Sequence, residues 1–158
     1  MTLFPPTREA ALARIASVDP AEYARSRNAL NGAVTELSPY ITHGFISLPE
    51  VLEGVRLHHS VRTQDKFVFE LGWREYFRHV WQHRGNSIFK SLHEGVLSDE
   101  AYANRIPFDI LHASTGVAAI DMAVKTLYAT GYLHNHARMW LASYMAVSYT
   151  HLRAHETG

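Results

Sequence analysis

Cysteine is missing from this chain. Disulfides, thiolate zinc sites and iron–sulfur clusters are therefore excluded within it. A surplus of charge is missing too, because 15 Lys and Arg balance 15 Asp and Glu. A bulk electrostatic grip on nucleic acid is thus not visible, and any such contact has to come from a local patch. No apolar run approaches the length needed to span a bilayer. The opening "MTLFPPTREAALARI" lacks the basic-then-apolar order of a secretion signal, so a cytoplasmic protein is the expectation. Apolar–polar alternation is nowhere sustained enough for a sheet, and repeats and low-complexity linkers are absent.

What is present is helical pattern. With 158 residues and 47% hydrophobic content the chain can bury a core and is most simply one domain. "PTREAALARIASV" places Ala, Leu and Ile at helical intervals behind Thr7, a capping residue. Asp19 followed by Pro20 opens a second helix. Ser47 with Glu50 three residues on has capping-box spacing. "RTQDKFVFELGWREYFRHVWQH" is the longest periodic run. Another run is expected to start at Ser114/Thr115 and stop at Gly131, and the last begins near His134. The region from Gly85 to Phe108 reads as loop with at most a short helix. The fold class predicted is all-α.

Three stretches carry residues with chemical potential. In "AVTELSPYITHGFIS", Ser38 and Pro39 read as an N-cap and first-turn pair, with Thr35 beside them. Free amides and hydroxyls there suit a phosphate, although an ordinary capped helix reads the same way. In "FELGWREYFRHVW", Glu70, Trp73 and Arg74 share one helix face, as an internal ion pair or the wall of a polar pocket. Phe69, Tyr76, Phe77 and Val80 cover neighbouring faces, so much of this helix is expected to be buried. Gly72 in mid-helix suggests close approach of a backbone or ligand. In "GYLHNHARMWLASY", Asn135, Arg138 and Met139 repeat the same spacing. Two such stripes could enclose a flat, polar-edged ligand. Taken singly, Met139, Leu141 and Tyr144 read as core.

The 11 histidines invite a metal reading. His79 and His83 lie four apart, as do His151 and His155, but neither pair sits in an H-E-x-x-H frame or has an obvious third ligand. His134 and His136, two apart, are expected to point away from each other on a helix, and His58 and His59 to face solvent. No metal site is expected.

In order and wording, the three stretches resemble the C-terminal, FAD-binding half of the photolyase/cryptochrome family. "TELSPYITHGFIS" resembles its flavin-phosphate loop, T-S-x-L-S-P-x-L-x-x-G-x-x-S. "ELGWREYFRHVW" resembles its E-L-x-W-R-E-F-Y-R-H segment, and "STGVAAIDMAVKTLYATGYLHNHARMWLASYMA" its T-G-x-P-x-V-D…T-G-W-x-H-N-R-x-R-M stretch. Ala118 and Tyr132 depart from its usual proline and tryptophan.

The resemblance implies a helical FAD-binding domain. Tyr23, Thr35, Leu37, Ser38, Arg74, Asn135 and Arg138 would hold FAD, with the phosphates at Thr35, Leu37 and Ser38. Glu70, Trp73, Asn135 and Met139 would line the pocket for a flipped pyrimidine dimer, Trp73 by stacking and Glu70 by hydrogen bonding. It implies a DNA-repair lyase of blue light, a deoxyribodipyrimidine photolyase that transfers an electron to a cyclobutane dimer in damaged DNA, acting as a monomer. The alternatives are a cryptochrome-like photoreceptor without repair activity, and an inactive helical fragment or interaction module.

The ends of the chain give further expectations. The family's antenna-binding α/β domain does not precede this half, and its Asp-x-Asp…Asn segment and relay tryptophans do not follow. "SYTHLRAHE" resembles a translated tagmentation adapter from a sequencing library. Residues 1–146 are therefore expected to be a partial FAD-binding domain, incomplete at its C-terminus, and 147–158 a non-native tail. Weak or absent FAD retention and an exposed apolar face are expected of the chain as written.

Overall fold

The structure, a computed structural model, describes residues 3–29, 31–90 and 105–152, with side chains as far as residue 146. Among these residues there are eight α-helices, one 3-10 turn and no strand, in keeping with the all-α expectation. They divide into two compact units, Met1–Lys90 and Ser91–Gly158.

The first unit holds α1 (Arg8–Ala16), α2 (Pro20–Ser26), α3 (Ser38–Thr42), α4 (Leu48–Arg56) and α5 (Lys66–Arg84), then the 3-10 turn Gly85–Phe89. Local chemistry sets where the early helices begin. The Thr7 hydroxyl accepts from the Ala10 N–H, and the Asp19 carboxylate from the N–H groups of Ala21 and Glu22. Ser47 and Glu50 form the reciprocal capping box, worth about 1 kcal/mol. The core gathers Ala11 and Ile15 of α1, Val51 and Val55 of α4, Leu37, Tyr40, Ile46 and Phe67. Each large apolar side chain buried there contributes roughly 1.5–3 kcal/mol. Gly54 lets α1 approach α4, since a Cβ there would lie 2.5 Å from Ile15 Cγ2. Gly32 is obligatory: its Cβ would lie 1.7 Å from the Ser26 carbonyl oxygen.

The second unit holds α6 (Phe108–Leu111), α7 (Ala118–Thr130) and α8 (Asn135–Leu152). Ile110, Ala113 and Val124 form its core, with Leu141, Tyr144 and Met145 of α8 packed against them. Gly131 ends α7 in the left-handed conformation, φ 69°, as its position after the periodic run predicted.

Four expectations are corrected. First, α7 starts at Ala118, not at Ser114/Thr115, with Val117 at the N-cap and no side-chain cap bond. Gly116 has φ +79°, which breaks the helical path. Thr115 bonds forward instead, donating from its N–H (2.8 Å) and its hydroxyl (2.7 Å) to Oδ1 of Asp121. Second, most of α5 is not buried. Only Phe67 is inside, while Phe77 is 63% and Trp81 58% exposed. Among the described residues, Phe67, Val68 and Leu71 of the first turns of α5 join the core, and the aromatics Phe69, Trp73, Tyr76 and Phe77 pack on one another. Third, among the described residues nothing closely approaches Gly72, where a Cβ would have no neighbour within 4 Å. Fourth, Met139 is exposed rather than core, although Leu141 and Tyr144 are half-buried. The Gly85–Phe108 region contains the 3-10 turn; residues 91–104 of it lie outside the described residues.

Candidate functional site

In the first unit, the Thr35–Ser38 segment is anchored by Leu37, which is fully inside the core. Ser38 is not the N-cap: that position belongs to Leu37, without a side-chain cap bond, and Ser38 and Pro39 form the first helical turn. With five residues, α3 has too few aligned peptides for a useful dipole, so the helix-start argument for phosphate fails in that form. What the segment offers is hydroxyls and amides. Thr35 Oγ1 accepts weakly from the Leu37 N–H at 3.4 Å. Among the described residues, the Ser38 hydroxyl and N–H make no hydrogen bond.

Glu36, between them, sits at φ 52°, a left-handed conformation that costs a side chain-bearing residue roughly 1–2 kcal/mol. Its carboxylate is paired with Arg14 of α1. Arg14 Nη2 donates to the Leu3 carbonyl at 2.7 Å, and its guanidinium lies 4.7 Å from the Phe4 ring centroid.

A second cluster joins α2 to α5. Lys66 Nζ is 2.8 Å and Arg27 Nη2 is 3.3 Å from the same oxygen of Glu70, Oε1. Glu70 therefore pairs with these two cations and not with Arg74 of its own face. The Arg27 guanidinium stands 5.8 Å from the Tyr23 ring centroid, and the Tyr23 ring meets Phe67 edge-on at 5.9 Å. Burial, and then the Glu70 charge, push the Tyr23 phenol pKa up, with Arg27 acting in the opposite direction. Arg74 Nη2 donates to Thr42 Oγ1 at 2.7 Å, which ties α5 to the end of α3. Trp73, about half exposed, stacks on Phe77 (6.0 Å, 29°) and meets Phe69 and Tyr76 edge-on.

The structure thus brings Tyr23 and Glu70 into one cluster, Thr35, Leu37 and Ser38 into another, and Arg74 to α3. Among the described residues, no hydrogen bond joins Tyr23 to Thr35 or Ser38. Sequence reading missed Arg14, Arg27 and Lys66. Lys66 and Arg27 had a local signal, each four residues from a singled-out residue on a helix. Arg14 had none, because its partner is 22 residues away.

In the second unit, His134 precedes α8 and its Nδ1 accepts from the His136 N–H at 3.2 Å, filling the cap position. The two rings lie 5.3 Å apart and do not point away from each other, because His134 is outside the helix. Burial, then the neighbouring His136 and Arg138, lower the His134 pKa. With Nδ1 accepting, the neutral ring carries its proton on Nε2. That atom and His136 Nδ1 are buried without a hydrogen-bond partner among the described residues. Arg138 Nε donates to the Leu133 carbonyl at 2.8 Å, and its guanidinium lies 5.7 Å from the Tyr132 ring centroid. Asn135 Nδ2 reaches Met139 Sδ at 3.7 Å.

His83 Nδ1 lies 3.1 Å from the His79 carbonyl oxygen, and His79 Nε2 is 3.6 Å from Glu75. Among the described residues no three His, Cys, Asp or Glu gather as a metal site, and no helix is long and apolar enough to cross a membrane. The His151 and His155 side chains lie outside the described residues, and His59 is half-buried rather than solvent-facing.

Residues 67–155 match the family described as FAD binding domain of DNA photolyase, a span that runs into the segment read above as foreign. Relatives include "Cryptochrome DASH, chloroplastic/mitochondrial" of Ostreococcus tauri, 32% identical over 80% of this chain and 24% of that protein. "Cryptochrome DASH" of Xenopus laevis is 31% identical over 79% of this chain and 25% of its own length. The Synechocystis "Cryptochrome DASH" is 27% identical over 78% and 27%. The chain spans about a quarter of the length of these curated relatives. No solved structure matches it. The matched span takes in α5 from its second residue, the 3-10 turn, α6, α7 and α8, and on that match the chain belongs to the photolyase/cryptochrome family, within its FAD-binding domain.

Proposed function

We propose that this chain supplies part of the flavin and substrate cradle of a photolyase-like enzyme that opens cyclobutane pyrimidine dimers in DNA under blue light. The observation that carries the reading is Glu70. Its two cations approach through Oε1, and no hydrogen bond to Oε2 is found among the described residues, which leaves acceptor capacity one turn from the half-exposed Trp73 ring. An acceptor-only oxygen beside an aromatic face is what a flipped base, with its π-face and N–H edge, requires. By the family resemblance, Asn135 and Met139 of the second unit are further candidates for contact with the substrate, and the presence of Glu70, Trp73 and Asn135 supports repair over sensing alone.

The residues present fit a pyrophosphate. Thr35 and Ser38 bring hydroxyls, Ser38 adds an amide that makes no hydrogen bond among the described residues, and the intervening carboxylate is neutralised by Arg14. Tyr23 and Arg74 of the same unit would add to the hold on FAD. Bound FAD would supply the light-driven electron transfer. This chain's residues orient the two ring systems and exclude water.

A second reading is a cryptochrome-like photoreceptor that keeps FAD without repair activity; the relatives' name, Cryptochrome DASH, keeps it in view without favouring it over repair. Dimer cleavage under blue light, assayed on the protein encoded by the gene's own frame, separates the two. The repair reading predicts light-dependent cleavage that Glu70→Ala and Trp73→Ala reduce; flavin binding with no cleavage overturns it. We also propose that residues 147–158 are not native, which sequencing the source locus through codon 147 decides directly.

A further inference from the structure

We propose that Arg14 is a positioning residue that sets the Thr35–Ser38 segment for phosphate by holding Glu36. The inference rests on the FAD reading of that segment. Glu36 occupies a left-handed backbone conformation, φ 52°, that residues with a Cβ rarely adopt. A neighbour therefore has to hold it there. Arg14 is placed to do so. Its Nη1 pairs with the Glu36 carboxylate, its Nη2 donates to the Leu3 carbonyl, and its guanidinium lies over Phe4, with the Tyr40 ring centroid 5.9 Å away. The helix that carries Arg14 is fixed by Ala11 and Ile15, in the same core that holds Leu37 and Tyr40. The guanidinium is thus pinned independently of its partner, and it fixes Glu36 rather than following it.

The same contact settles the charge. Glu36 stands between Thr35 and Leu37, in the middle of the donors offered to a pyrophosphate. Left alone, its carboxylate would repel that anion; paired with Arg14, it does not. Arg14 touches no ligand in this scheme, and it acts through Glu36 on both the shape and the charge of the segment.

The test is an affinity cycle on the full chain, read by backbone amide shifts of residues 35–38 during FAD titration, with thermal unfolding measured in parallel. Arg14→Met is expected to weaken FAD by about tenfold. Glu36→Gly, which takes a positive φ without strain and removes the charge, is expected to bind at least as tightly as the wild type. Arg14→Met combined with Glu36→Gly is expected to recover wild-type affinity without recovering thermal stability. A structural contact alone would move unfolding and binding together and give no such rescue. Equal binding by Arg14→Met and wild type, failure of the rescue, or a tenfold loss in Glu36→Gly alone overturns the proposal. If Arg14→Met does not fold, the Glu36→Gly result decides. Absence of any FAD-dependent shift in the wild type overturns the flavin reading instead.

Discussion

Lys66 and Glu70, one turn apart on α5, form an ion pair of 2.8 Å on an oxygen that Arg27, the C-cap of α2, also approaches. Two cations on one carboxylate oxygen leave the cluster with a net positive charge beside Tyr23. Replacing Glu70 by Gln removes the charge that helps burial hold the Tyr23 phenol up and leaves burial alone to oppose Arg27. The Tyr23 pKa is therefore expected to fall, as read by carbon NMR of the tyrosine rings. Stability should drop by only about 0.2–1 kcal/mol, because these pairs are partly exposed. An unmoved Tyr23 would show that burial alone sets its pKa.

The capping box of α4 predicts an acid-dependent loss. The Arg8 side chain, followed by the backbone and hydroxyl of Ser47, holds the Glu50 pKa down at about 2, from an ordinary 4.5. A carboxylate depressed in the folded state contributes stability that is complete above about pH 4.5 and is lost as pH falls through about 2. Thermal unfolding of the wild type should decline across that window. Glu50→Gln should start lower and decline less, and parallel curves would contradict the assignment.

His134 makes the opposite end of the chain sensitive to milder acid. Its neutral Nδ1 accepts the His136 N–H, and its pKa is lowered below 6.5 by burial and then by His136 and Arg138. The folded state thus binds fewer protons than the unfolded one. Stability from this residue is complete above about pH 6.5 and is lost as pH falls through the lower folded value. Urea unfolding of His134→Asn, which keeps an acceptor at the cap but does not titrate, should show a smaller loss between neutral and mildly acidic pH. An identical loss in both would remove His134 as its source.

The parts of this fold that were legible in the sequence are those with short-range physics. Thr7, Asp19 and the Ser47/Glu50 box announced their helices because the capping partner lies two or three residues away. Gly131 was legible for the same reason. The start of α7 was not, because Thr115 bonds to Asp121 six residues on and no cap template carries that spacing. Burial of α5 was misread because helical periodicity reports which residues share a face, not whether anything covers it. The candidate site residues were singled out by resemblance alone, while the pairing of Arg14 with Glu36 and of Arg27 with Glu70 depends on tertiary contact that no local pattern carries.

The uncovered face of α5 carries a solubility consequence. Trp81 and Phe77 are 58% and 63% exposed and lie one turn apart, and patches of this kind drive association. Trp81→Gln with Phe77→Gln should reduce light scattering at a given concentration while leaving helical circular dichroism unchanged. Loss of helicity would mean that these rings support the helix rather than burden it.

FAD titration of the isotope-labelled wild-type chain, with riboflavin as the control, is the measurement that bears most directly on the flavin reading. FAD is expected to shift the amides of Thr35, Leu37 and Ser38, even if it binds weakly, and riboflavin, which lacks the pyrophosphate, is expected to leave them in place. Equal shifts with both ligands, or none with FAD, would contradict a phosphate-holding role for this segment.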